Sequence, residues 1–220
     1  MTSVRTFAAL VAGGDELDPD LATLAAHASD SIGRIDRHLD RLHEFAALEE
    51  APLSGARTSA WRCDEILSLF AEELAGRDDA LVDRVDIASV PAARTAARTS
   101  ECMAECEHRR FIVATILDEV AARLPDEERA AISRGAQGPT PETLLVTIPN
   151  ATRAPTEHLR SMAAGGGSSW RILLAALVAA RLGESVEENP EDNPDVQGGD
   201  DAPLTVRWIM AAPAKPAVEA

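Results

Sequence analysis

Apolar residues recur along residues 19–50 in alternating steps of four and three positions, and charged residues occupy the remaining faces. Asp18 is suited to cap a helix at this point, and Pro19 fits the first helical position because a backbone N–H is not needed there. The average period of 3.5 residues predicts one long α-helix that packs by supercoiling against other helices. The predicted packing seam consists of Leu21, Ala25, Ala28, Ile32, Ile35, Leu39, Leu42 and Ala46.

This long helix has one apolar stripe to bury, and the stability of helices in proteins comes mainly from packing such a stripe. Residues 4–12 are predicted to form a shorter apolar helix closed by Gly13 and Gly14. A short helix covers too little of the seam, so we expect a second subunit to supply the missing surface. The pattern therefore predicts a helical hairpin within residues 1–53 that forms a four-helix bundle in a homodimer.

The pattern changes after residue 53, where helical periods alternate with strand-like runs. This alternation predicts an α+β fold, mostly helical, over residues 54–213, with a tail at 214–220. Residues 170–182 are the most apolar helix and are expected to be central. Residues 187–201 are acidic and contain Pro and Gly, which predicts a solvated loop. The other predicted elements are helices at 60–76, 92–124 and 155–162, strands within 81–90 and at 143–148 and 204–210, and one or two helical turns at 126–133.

The 220-residue chain has a net charge of −16, from 37 acidic and 21 basic residues. This charge repels phosphate backbones and anionic lipid, so we expect binding neither to nucleic acid nor to a membrane. No apolar run reaches the roughly 18 residues of a membrane span. The three cysteines form no disulfide framework, and the N-terminus has no export-signal pattern. A cytoplasmic location is the expectation.

Three potential metal ligands, Cys102, Cys106 and His108, lie within seven residues, and Cys63 is a potential fourth. Helical spacing places Cys102 and Cys106 on one face and directs His108 elsewhere, whereas zinc sites more often use a short spacer on a turn. Structural thiols are the simpler interpretation, so no metal site is assigned. A metal-dependent enzyme that uses these cysteines is a third hypothesis.

Three histidines of the long helix, His27, His38 and His43, flank the seam without occupying it. A neutral imidazole nitrogen is a nucleophile near pH 7, so each is a candidate phosphoryl acceptor, with His27 the first choice. The simpler interpretation is that they are ordinary polar positions beside a packed stripe. The run Gly165–Gly167 before a helix resembles an anion cradle, but it lacks the Lys-Ser/Thr of a P-loop, and no cofactor is expected.

Taken in order, the elements resemble the core of a sensor histidine kinase, in which a dimerising helical hairpin precedes an ATP-binding α/β sandwich. Residues 4–51 resemble the hairpin, including the closing stretch LHEFAALEE at residues 42–50. The resemblance to the ATPase domain covers residues 60–90 for its opening helix and strand, 108–124 for the Asn-box helix, 143–150 for the strand before the Asp-Gly box, 165–183 for the Gly-rich box and its helix, and 204–210 for the final strand.

The reactive motifs of that family are replaced in this chain. Glu119 stands where the family has its magnesium-binding Asn, and Ile148-Pro149-Asn150 stands where its adenine-binding Asp is expected. The Gly-rich box keeps Gly165–Gly167 but has Trp170 and Leu173 where further glycines belong. The resemblance places the family's phosphoaccepting His before Val4.

The resemblance thus implies a degenerate histidine-kinase-type α/β sandwich that does not bind ATP, similar to the histidine phosphotransferases of phosphorelays. It implies a homodimer that docks the receiver domain of a response regulator in bacterial two-component signalling, either as a phosphotransferase or as an adaptor. The alternative is a non-catalytic, acidic, helical regulatory protein without kinase ancestry, in which the strands are misread and a basic partner is bound.

Overall fold

The computed structural model describes residues 19–50, 53, 62–77, 81–88, 100–135, 142–151, 169–190 and 203–210. The chain divides into two compact units, Met1–Glu50 and Ala51–Ala220. The helices predicted at residues 4–12 and 155–162 lie outside the described residues, as do Gly165–Gly167. Among the helices that are described, none is long and apolar enough to cross a membrane.

The first unit contains helix α1, Pro19–Glu50, which spans 32 residues. The predicted long helix is therefore confirmed with its bounds. The shorter arm of the predicted hairpin falls outside the described residues, so the hairpin and the dimer stay predictions.

The first helix described in the second unit is α2, Cys63–Ala75, close to the predicted span. Two carboxylates hold its N-terminus: Glu65 Oε2 accepts from the backbone N–H of Arg62 at 2.9 Å, and Glu142 Oε2 accepts from that of Cys63 at 2.6 Å. These contacts satisfy two donors near the helix start, which have no partner within the helix. The apolar face of α2 buries Ile66, Leu67, Leu69, Phe70 and Leu74.

Five strands form one mixed sheet in the second unit. The spatial order is β1-β2-β3-β5-β4, with β1 and β2 parallel and the other neighbours antiparallel. The strands are β1 Val85–Ile87, β2 Ala130–Arg134, β3 Thr143–Ile148, β4 Ser185–Pro190 and β5 Leu204–Ile209.

One face of this sheet is buried because alternate residues of its central strands point to the same side. Helix α3, Ser100–Arg123, connects the parallel strands β1 and β2 and packs between α2 and helix α4, Trp170–Arg181. The buried residues of β3 and β5 stand opposite each other in register, as the pairs Leu144 with Trp208, Val146 with Val206, and Ile148 with Leu204. The α+β fold predicted from the sequence is confirmed.

Two predictions of local structure are wrong. Residues 130–134, expected to continue a helical turn, form β2 and pair with β1 and β3. The first residues of the expected acidic loop, 187–190, belong to the edge strand β4, Ser185–Pro190. An edge strand tolerates Pro and charged side chains because one side of it needs no ladder partner.

The interpretation of the strands as misread helices is also wrong, since the described residues include a five-stranded sheet. The expectation that residues 170–182 form the central helix needs correction as well. Leu173 and Leu177 of α4 are more than half exposed, whereas residues 111–117 of α3 are all buried. Helix α3 is the central helix because it has neighbours on both sides.

Candidate functional site

Charged side chains lie buried along α3, among the apolar residues of the central helix. Glu105, Arg109, Glu119 and Arg123 are each at most 7% exposed. The two arginines are 14 positions apart, about four helical turns, so they lie on nearly the same face. Burying a charge is costly unless it is paired, so the partners of these residues decide what the region can do.

The first group, the Arg109 cluster, joins α3 to the residues that follow α4. Arg109 donates to Glu105 at 3.3 Å and to Glu184 at 2.5 Å. The other oxygen of Glu184 accepts from the indole Nε1 of Trp208 at 2.9 Å. Two carboxylates thus share one guanidinium, and the indole N–H satisfies a further lone pair.

The second group, the Arg123 cluster, joins α3 to the start of α4 and to β4. Arg123 Nη1 donates to Glu119 Oε1 at 3.3 Å and to Glu188 Oε1 at 2.8 Å. Arg171 Nη1 donates to Glu119 Oε2 at 3.1 Å, and the backbone N–H of Ser169 donates to Glu188 Oε2 at 3.0 Å. Two guanidinium groups therefore balance two carboxylates.

The two clusters also define how the helices run. Arg109 contacts Glu184, beyond the C-terminal end of α4, whereas Glu119, further along α3, contacts Arg171 near the N-terminal end of α4. Helices α3 and α4 are therefore antiparallel. Glu119 has a side chain only 1% exposed and accepts hydrogen bonds from two arginines.

Three of the four residues considered for metal binding have described side chains: Cys63, Cys106 and His108. His108 is fully buried; its Nδ1 lies 2.7 Å from the carbonyl oxygen of Ala104, and its Nε2 has no hydrogen-bond partner among the described residues. Cys106 is a free, half-buried thiol, and the side chain of Cys102 is outside the described part. No group of three His, Cys, Asp or Glu residues able to hold a metal ion occurs in the described ranges.

Cys63 is held as a protonated thiol. Its Sγ donates to the carbonyl oxygen of Thr143 at 3.5 Å, and its side chain is buried. Burial is the main cause that raises the pKa of Cys63 to about 12. A hydrogen bond with the Glu142 side chain and the negative charge of Glu142 raise the pKa further, and the positive charge of Arg134 lowers it. A thiol in this state is a poor nucleophile and a poor metal ligand near neutral pH, since both need the thiolate.

The three candidate histidines all lie on α1. His27 and His43 are exposed, and His38 is half-buried. All three belong to the first unit, whereas the two charged clusters consist of residues of the second unit. Their role as phosphoryl acceptors stays a prediction.

The predicted seam of α1 is exposed at Ile35, Leu39 and Leu42, and half-buried at Ile32. Ile35 is 47% exposed, Leu39 39% and Leu42 44%, and the adjacent Leu24 is 65% exposed. Four large apolar side chains on one helix face are unusual for a surface that stays in water.

Sequence reasoning missed both buried clusters as candidate sites. A signal was present: the Glu-Arg pairs at 105 and 109 and at 119 and 123 have the four-residue spacing of helical ion pairs, and they flank the apolar run at residues 111–117 of α3. The distant partners carry no such signal, because 75 residues separate Arg109 from Glu184 and 65 separate Arg123 from Glu188.

A shallow, open recess lies between α2 and α3. It encloses about 230 Å³ and is lined by Leu69, Glu72, Glu73, Arg110 and Val113. Arg110 donates to Glu72 across it at 3.3 Å.

No protein-family model matches this chain, and no curated protein matches its sequence. Among solved structures, full-length ShkA in complex with AMPPNP is similar over 98% of this chain and 44% of its own, at 15% identity and a TM-score of 0.47. The mycobacterial sensor histidine kinase MprB is similar over 69% of this chain and 97% of its own, at 14% identity and a TM-score of 0.43. A bacterial phosphotransferase is similar over 94% of this chain and 87% of its own, at 12% identity and a TM-score of 0.36.

The chain thus spans less than half of the length of ShkA. At these identities and TM-scores, the likeness does not by itself assign the chain to a family.

Proposed function

We propose that this protein is a dimeric, histidine-phosphotransferase-like or adaptor protein of bacterial two-component signalling. It docks the receiver domain of a response regulator and does not bind ATP. The observation that carries the proposal is the exposed apolar seam of α1, on a helix whose flanks carry three histidines. A seam of period 3.5 with its large side chains in water needs a partner helix, and a second copy supplies an identical seam.

The absence of ATP binding is proposed from the Arg123 cluster. In the resemblance drawn from the sequence, Glu119 replaces the Asn that binds magnesium. Its carboxylate is bonded to Arg123 and Arg171 and buried, so its oxygens are not presented to a metal ion. The carboxylate also adds negative charge at a place where a triphosphate would need positive charge.

Phosphoryl transfer, where it occurs, moves the group from an aspartyl phosphate of the receiver domain to an imidazole nitrogen on α1. The O–P bond of the acyl phosphate breaks, an N–P bond forms, and the carboxylate of the receiver is released. Magnesium and the aspartate belong to the partner, so the chain supplies only a nucleophile and a docking surface.

The test is incubation of the protein with receiver domains from the same cell that carry labelled phosphate. We expect label on the wild-type chain and its loss in His27→Ala, with His38→Ala and His43→Ala as matched variants on the same helix. Binding without label reduces the role to that of an adaptor. The proposal is overturned if the chain takes up no label from any of the receiver domains and also binds none of them. Saturable binding of magnesium-ATP would contradict its nucleotide-free part.

A further inference from the structure

The recess between α2 and α3 has an apolar floor and a charged rim. Leu69 is 6% exposed and Val113 is fully buried, so these two side chains form the floor. Glu72, Glu73 and Arg110 complete the lining and are more exposed. The lining residues are three and four positions apart on α2 and three positions apart on α3, so each helix turns one face towards the recess.

The rim has two negative charges and one positive charge. The guanidinium of Arg110 donates to Glu72 at 3.3 Å, and both side chains of this pair are more than half exposed. Glu73 is half-buried, and its carboxylate has no hydrogen bond or ion pair within the described part of the chain. A carboxylate beside buried apolar side chains favours a cation that also carries an apolar stem.

The size of the recess limits what it can hold. At about 230 Å³ it is smaller than the roughly 300–1,000 Å³ of sites for small molecules and cofactors. One long side chain of a partner suits it better. Arginine has an aliphatic stem that covers apolar surface and a planar guanidinium that can bond two carboxylates at once. Arg110 already places such a group against the rim.

We propose that this recess is a docking site for an arginine side chain of a basic protein partner. The stem of that arginine lies on Leu69 and Val113, and its guanidinium bonds Glu73 and replaces Arg110 at Glu72. The net charge of −16 attracts a basic protein and disfavours a second copy of the chain at a rim that is itself negative.

The exchange of Arg110 for the incoming arginine is easy because an exposed ion pair contributes little to stability. The pair therefore does not hold α2 against α3, and the buried apolar faces of the two helices keep the recess in shape. This inference does not rest on the proposed function of α1.

The test titrates the full chain with N-acetyl-L-arginine amide at constant ionic strength and follows the methyl signals of Leu69 and Val113 by NMR. We expect these signals to shift until the site is saturated. The citrulline analogue has nearly the same shape without the charge, and it should leave the signals in place.

Two glutamate variants test the role of Glu73. Glu73→Gln keeps the shape of the side chain and removes its charge, so it should bind the arginine probe about three- to tenfold more weakly, as expected for the loss of a charged hydrogen-bond partner. Glu127→Gln removes the same charge at an exposed position outside the recess and should bind the probe as the wild type does.

Two arginine variants test the exchange of Arg110. Arg110→Ala frees Glu72 and should bind the probe about two- to fivefold more tightly than the wild type. Arg129→Ala removes the same charge from the exposed pair with Asp86, outside the recess, and should not change the affinity. Equal affinities of these two variants would contradict the replacement of Arg110. The proposal as a whole is overturned if the methyl signals do not shift, if citrulline shifts them as far as arginine, or if Glu73→Gln and Glu127→Gln bind the probe equally.

Discussion

Arg109 of α3 donates to Glu184, 75 positions away, across 2.5 Å. The side chain of Arg109 is 5% exposed and that of Glu184 is 1% exposed. This ion pair joins the central helix to the residues between α4 and β4. A buried pair of this kind holds two parts of the fold in one arrangement, because either charge alone would be left in the interior.

Replacement of Arg109 with Met should therefore destabilise the second unit strongly. The substitution leaves the carboxylates of Glu184 and Glu105 buried without their shared guanidinium, which costs about 3–5 kcal/mol for a broken buried pair. Arg110→Met is the matched control: its side chain is 51% exposed and its partner Glu72 57% exposed. An exposed pair contributes about 0–1 kcal/mol. Urea unfolding of the two variants measures the difference, and equal midpoints would refute the importance of the buried pair.

A charge in the seam of α1 should convert a dimer to a monomer. We expect Leu39→Arg to halve the molar mass measured by light scattering, because the charge would have to be desolvated in the packed seam. Ala47→Arg adds the same charge at an exposed position outside the seam and should leave the mass unchanged. A wild-type protein that is monomeric at all accessible concentrations would contradict the predicted dimer.

The thiol of Cys63 should react slowly with alkylating reagents at pH 8. Its pKa is raised to about 12, mainly by burial, so the thiolate is rare at that pH. Two single-cysteine variants, one that keeps Cys63 and one that keeps Cys106, allow the comparison, because Cys106 is only half-buried. Mass spectrometry over time measures the labelling, and faster labelling of Cys63 in the folded protein would contradict its assignment as a protonated, buried thiol.

The same thiol should make the fold sensitive to alkali. The folded-state pKa of Cys63 is raised from 9.0 to about 12, so the contribution of Cys63 to stability is fully present below pH 9 and falls as the pH rises towards 12. In this window the unfolded chain has lost the proton that the folded chain retains. The free energy of unfolding should fall by about 1.4 kcal/mol per pH unit from this group. The variant Cys63→Ala should lack this part of the pH dependence when the free energy of unfolding is measured from pH 8 to pH 11. If the free energy of unfolding falls equally steeply with pH in both proteins, other groups cause the fall.

Much of the local structure follows from patterns that are visible along the chain. The 3.5-residue repeat and Pro19 set α1, and the alternation of apolar residues at 143–148 and 204–210 sets β3 and β5. These elements were predictable because each buries one face and its period shows which face that is. The strand at 130–134 was not, because Ala130, Ala131 and Ser133 have no strand preference of their own, and neighbours on both sides decide its conformation.

The candidate site was less predictable than the fold. The histidines of α1 follow from sequence position and simple chemistry, and the resemblance identifies Glu119 as a replaced residue. The sequence does not show that Glu119 is bonded to Arg123 and Arg171, or that the side chain of Glu188, in a segment predicted to be a solvated loop, is only 6% exposed.

The sequence by itself determined the long seamed helix, the α+β character of the rest and the acidic charge of the whole chain. The helices and strands depend on the spacing of apolar residues along the chain, and the net charge depends on composition alone. Only the tertiary structure decided which charges are buried and which partners neutralise them. The physical reason is that an ion pair such as Arg123 with Glu188 forms between residues that the chain separates by 65 positions and that the packing of α3, α4 and β4 brings together.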